Sequence, residues 1–182
     1  MIFSKKGLFF ALLISITVTF AFSNDLPSGY RDINLGMTLE ETKSALLKDP
    51  AFGYHGERDV SLIPGGNKTL IETDSEYGYG STFLKRCYFQ FYDDTLYIIT
   101  INVNQDKMDY YSIFTTLSKK YGNPQKLNPQ SATWKNDKIT LSLEKPLTLK
   151  YILNDTFEQT QKYSDIEKSP EEMTSEMFLD EL

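Results

Sequence analysis

Residues 82–103 impose the strongest constraint on the fold. Two runs, 82–92 and 95–103, flank Asp93-Asp94 and are mostly apolar or aromatic. Aspartate tolerates tight-turn geometry and bonds its own backbone there, so the pair predicts a hairpin. In the tightest register Phe91 faces Leu96, Phe89 faces Ile98 and Cys87 faces Thr100. The opposite face then carries Leu84, Tyr88, Tyr92, Tyr97, Ile99, Ile101 and Val103. A sheet with one wet face alternates apolar and polar residues. This hairpin does not, so something must cover both its faces.

The flanking sequence predicts a helix and strands, twice. Thr38 and Glu41 form a capping box, Leu39, Ala45 and Leu46 supply a buried stripe, and Asp49-Pro50 stops that first helix. Residues 59–63 and 68–73 flank Pro64-Gly65-Gly66-Asn67 and predict a hairpin. Asp106 is the expected N-cap of a second helix. Its stripe is Tyr110, Phe114, Leu117 and Tyr121, and Gly122 and Pro124 end it. Strands follow over 131–135, 138–143 and 147–153, the first two joined by Asn136-Asp137. The expected fold class is α+β: an antiparallel sheet with two helices packed on one face, in an imperfect helix–strands repeat.

Charge divides the chain. Lys and Arg number 19, Asp and Glu 25, for a net −6. This mild acidity disfavours nucleic-acid binding, which needs clustered cations. Residues 1–23 read as a secretory signal peptide: Lys5 and Lys6, an apolar stretch over 7–22, then Ala21-Phe22-Ser23 before the cut. An uncleaved anchor is the alternative reading, although the apolar stretch is short for a membrane span. The only Cys is Cys87, so no lipidated Cys follows the signal and no direct membrane anchor is expected after cleavage. The expected location is periplasmic or secreted. Residues 24–154 are close to neutral and are the expected α+β binding domain. Residues 155–182 hold nine acids against Lys162 and Lys168. They are the expected acidic tail, too poor in apolar residues to offset their ordering entropy until a short amphipathic helix near the end. That helix opens at Ser169-Pro170 and carries Met173, Met177 and Phe178 on one side.

Gly36-Met37-Thr38 followed by Glu40-Glu41, and later Tyr121-Gly122-Asn123-Pro124 with Trp134, resemble small periplasmic α+β modules of the SmpA/BamE family and the repeats of β-lactamase inhibitor protein. The resemblance covers about residues 36–153 in pattern. The second helix lacks the Gly-Met-Thr opening, and the lipid-modified Cys of SmpA/BamE proteins is absent. The resemblance implies a non-catalytic protein-binding module.

Chemistry-bearing groups are few. His55 has no nucleophile or orienting carboxylate placed beside it in sequence. Cys87 alternates with Phe89 and Phe91 and reads as a core thiol. Asp93-Asp94 reads as turn chemistry, because catalytic carboxylates come from separate elements. Gly65-Gly66-Asn67-Lys68-Thr69 lacks phosphate-loop spacing. No catalytic residue, metal ligand or cofactor is expected. The candidate protein-binding residues are Tyr88, Tyr92, Tyr97 and Ile99 on the sheet, Tyr77 and Tyr79 in a Gly-rich loop, and Met173, Met177 and Phe178 in the tail. Together these readings predict an accessory or scaffold subunit of a cell-envelope assembly, with other envelope proteins as partners. Outer-membrane assembly machinery and a periplasmic flagellar-motor structure are the two settings considered; the second rests on compartment and the lack of chemistry, with no motif behind it. The alternative is a secreted or periplasmic protein inhibitor of an enzyme.

Overall fold

A computed structural model describes residues 25–63, 67–75 and 83–166. The signal segment, Tyr77, Tyr79, Met173, Met177 and Phe178 lie outside the described residues. In chain order the elements are β1 (Gly29–Tyr30), β2 (Ile33–Asn34), α1 (Leu39–Lys48), β3 (Val60–Ile63), β4 (Lys68–Asp74), β5 (Leu84–Tyr92) and β6 (Thr95–Val103), then α2 (Tyr110–Tyr121), β7 (Lys126–Leu127), β8 (Ser131–Lys135), β9 (Ile139–Glu144), β10 (Thr148–Leu153) and α3 (Asn154–Ile166). β1 and β2 form a small hairpin of their own. The other eight strands form one antiparallel sheet in the order β3-β4-β5-β6-β10-β9-β8-β7. That order is two meanders joined at their last strands, β6 and β10.

Local chemistry explains the element ends. Thr38 Oγ1 accepts from Glu41 N (3.2 Å) and Glu41 returns a bond to Thr38 N (2.9 Å), the expected capping box. Asp93 and Asp94 both adopt positive φ (46° and 59°), as a two-residue hairpin turn requires. Asp94 also accepts from Leu39 N (3.0 Å), which ties the turn to the start of α1. The N-cap of α2 is Asp109, not Asp106. Asp109 accepts from the backbone and hydroxyl of Ser112 (2.8 and 2.6 Å). Asp106 sits earlier, in a turn closed by Asn104 (3.0 Å).

The central hairpin differs from its expected register. Phe91 does pair with Leu96. The next pair is Gln90 with Ile98, so Tyr97 is an extra residue in a β-bulge. Beyond it Phe89 pairs with Ile99 and Cys87 with Ile101. A one-residue slip exchanges the faces of a strand. Ile99, Ile101 and Val103 therefore join Phe89 and Cys87 in the core instead of accompanying Tyr88. The core continues through Leu149 and Tyr151 of β10, Leu141 and Leu143 of β9, and Ala132 and Trp134 of β8. Helix α1 adds Leu46, while Leu39 and Ala45 pack against the cluster. The α2 stripe of Tyr110, Phe114, Leu117 and Tyr121 packs there too. Phe114 meets Trp134 at 6.1 Å, Trp134 Nε1 donates to the Gly122 carbonyl (2.8 Å), and Tyr110 donates to the Leu143 carbonyl (3.2 Å). Each fully buried apolar side chain of this size contributes roughly 1.5–3 kcal/mol.

Helix α3 was not expected in the first part of the acidic segment. Asn154 starts it from a buried position, accepting from Thr140 Oγ1 (2.7 Å) and donating to the carbonyls of Asn136 (2.9 Å) and Asp137 (3.2 Å). The helix contacts β6 and β10 and buries Thr160. Among the described residues no helix is long and apolar enough to cross a membrane.

Candidate protein-binding surface

Strand registers place Glu72, Tyr88, Thr100, Lys150 and Ser142 in one row on the sheet face opposite the core. The next row is Asp74, Arg86, Asn102, Thr148 and Glu144. Most of these residues are half-buried. Their charges are matched locally. Arg86 bonds Glu72 and Asp74 (both 3.2 Å), and Lys150 bonds Glu144 (3.0 Å). Tyr88 and then Asp74 hold the Arg86 guanidinium above its usual range. Thr148 donates to Asn102 (2.9 Å) and Ser142 to Glu144 (2.8 Å). Tyr92 lies further along β5, opposite Lys68. This half of the face is a polar platform that keeps the apolar bodies of Tyr88 and Tyr92 partly in reach of solvent.

The other half is closed. Tyr97 is 7% exposed; burial raises its phenol, and Thr160 of α3 opposes that shift through a hydrogen bond. Ile98 is equally buried. Of the sheet residues expected to bind a partner, Tyr88 and Tyr92 therefore occupy the open half, Tyr97 lies against α3, and Ile99 is in the core at 0% exposure. The bulge at Tyr97 separates them.

Two further features were not anticipated. An apolar cleft of about 260 Å³ opens beside the two central strands, with Ile101 and Leu149 among its walls. Tyr30, Arg31, Phe83 and Met108 also line it. Arg31 adopts a left-handed φ of 55°, bonds both Asp49 carboxylate oxygens (2.9 and 3.2 Å) and lies 5.7 Å from the Tyr30 ring centre. The cleft's volume suits a side chain or two rather than a cofactor. Its sequence signal was weak, because its walls come from distant segments.

The second feature is a shallow dish of about 430 Å³ holding His55, Arg58, Asp59, Ser61, Glu72 and Asp74. Its carboxylates already face donors. Asp59 accepts from His55 N (2.7 Å), with His55 Nδ1 at 3.4 Å and Arg58 at 3.6 Å, while Glu72 and Asp74 face Arg86. Among the described residues no group of three or more His, Cys, Asp or Glu is arranged to hold a metal ion. Cys87 is buried, and burial pushes its thiol up to about 12.

No curated protein and no solved structure matches this chain. The model of the TP0088 domain family matches residues 28–163, a span that runs from β1 through the eight-stranded sheet and into α3. The chain belongs to the TP0088 domain family.

Proposed function

We propose that this chain is a non-enzymatic protein-binding module of the periplasm, an accessory or scaffold subunit of a larger cell-envelope assembly. The observation that carries the reading is the divided outer face of the sheet. Helix α3 covers Tyr97 at one end, while the Tyr88 platform is left half-exposed. Tyrosines on a rigid sheet, ringed by locally paired charges, suit recognition: they offer apolar area and a polar tip at low entropic cost. The acids of the His55 dish each face a donor, which favours a structural role for that cluster over a catalytic one.

In this reading α1 and α2 form one layer over the core face, and the two helix-plus-meander halves are diverged copies of one unit. The topology supports it, because each half runs one helix and then four strands, and the halves meet at β6 and β10. This order is the imperfect helix–strands repeat that the sequence pattern predicts; enzyme inhibition, by analogy with the β-lactamase inhibitor repeats, is the second reading. Outer-membrane assembly machinery and a periplasmic flagellar-motor structure are the proposed settings.

Affinity purification from cross-linked native envelopes tests the proposal. A defined envelope partner should co-purify, and Tyr88→Ala should reduce its recovery without unfolding the chain. Recovery of the chain alone, or a partner unaffected by Tyr88→Ala, counts against it. Loss of one enzyme's activity in a binary complex would select the inhibitor reading.

A further inference from the structure

The two edges of the sheet are guarded differently. At one edge β7 is two residues long, carries Lys126 and lies between Pro124 and Pro129. Short length, lysine and proline all keep an edge from accepting another strand. At the other edge β3 is Val60-Ser61-Leu62-Ile63, with neither charge nor proline. Leu62 is 83% exposed and Ser61 is exposed as well. Among the described residues no strand and no backbone hydrogen bond covers the outer side of β3. Unpaired backbone groups beside an exposed leucine form a template for strand addition.

We propose that β3 pairs antiparallel with β3 of a second copy, joining the two sheets into one. Paired residues share a face, so a two-fold axis through the edge sets Ser61 opposite Ser61 and Val60 opposite Leu62 of the other copy. Each exposed Leu62 is then covered by a valine, and the two core faces stay on the same side. Lys43 of α1 reaches Glu57, just before β3 (2.9 Å). Leu47, one turn further along α1, is 68% exposed. Charge favours the antiparallel sense. The stretch leading into β3, Glu57-Arg58-Asp59, is net negative, and Lys68 stands beside Ile63 at the far end. Each acidic start is turned toward the other copy's lysine. A second copy fits better than a foreign strand because the guarded β7 leaves one open edge, so the pairing closes at two copies. Four residues per strand make a small interface, so the dimer is reversible and depends on concentration.

Ser61→Cys tests the register directly. Opposed residues of an antiparallel pair have Cα atoms about 4.5–5.5 Å apart, within disulfide reach. Under mild oxidation Ser61→Cys should give a disulfide-linked dimer, and adding Leu62→Lys should largely abolish it. Ser44→Cys, on exposed α1 surface, should not cross-link. In sedimentation the native chain should shift from monomer toward doubled mass as concentration rises. Leu62→Lys should stay monomeric with an unchanged circular dichroism spectrum, and Leu127→Lys at the guarded edge should behave as the native chain. A native chain that stays monomeric throughout, a Ser61→Cys yield no higher than that of Ser44→Cys, or a dimer that survives Leu62→Lys overturns the proposal.

Discussion

Ending the chain at Asp155 removes α3 but keeps the Asn154 side chain that braces the 136–137 turn. Tyr97 and Ile98, each 7% exposed in the intact chain, then lose their cover. Uncovering two side chains of this size costs about 3–6 kcal/mol at roughly 1.5–3 kcal/mol each. Releasing α3 returns ordering entropy and offsets part of that cost; a short acidic helix is marginal alone and forms because it is docked. A net loss of about 2–3 kcal/mol is expected, less than the roughly 5–15 kcal/mol that holds a domain together. The truncated chain should therefore fold but melt earlier, by about 4–12 °C at some 2–4 °C per kcal/mol. Thermal melting followed by circular dichroism reads the shift. A dye that lights up on exposed apolar surface should bind the truncated chain and not the intact one. An unchanged melting temperature with no gain in dye binding would refute the docking of α3 on the sheet.

Three other perturbations follow from the same structure. Asn154→Ala removes a buried side chain with three hydrogen bonds and should cost about 2–3 kcal/mol, seen as a lower urea midpoint at unchanged slope. Gly53 has φ +65°, and an added Cβ would lie 2.5 Å from the Asp74 carbonyl oxygen, so Gly53→Ala should destabilise by more than about 1 kcal/mol in the same assay. Burial pushes the Cys87 thiol up to about 12 from its ordinary 9.0, so a thiol reagent should fail on the native chain at neutral pH and react fully in urea. Unfolded Cys87 ionises above 9.0 while the native thiol stays protonated, so its contribution to stability is complete below that pH and is lost as pH rises through about 12. Cys87→Val should remove that component of the alkaline loss.

Much of the fold was legible because local chemistry dictates it. The Thr38–Glu41 box, the Asp93-Asp94 turn, the α2 stripe and the terminating Gly122 are short-range signals, and each element appears near its expected place. Asp106 and Asp109 are both competent caps; Asp109 wins because Ser112 stands three residues on and donates twice. The bulge at Tyr97 was not legible. No Gly or Pro marks it, and it arises where Leu96 must bond Met37 and Gly36 while Tyr97 reaches α3. That single extra residue moved Ile99 into the core and divided the expected tyrosine surface. Helix α3 was hidden by its nine-acid context, since its sparse signal is Phe157 and Thr160 on one side. The open edge at β3 depends on which strands end the sheet, and that order is set by long-range pairing.

The half of the outer face around Tyr88 is the proposed docking surface. Site-specific photo-crosslinking in living cells tests it most directly, with a benzophenone amino acid at Tyr88 and, for comparison, at Tyr111, which is 73% exposed on α2. Position 88 should yield one discrete cross-linked envelope protein and position 111 none. A blank at position 88, or the same product from both positions, would contradict it.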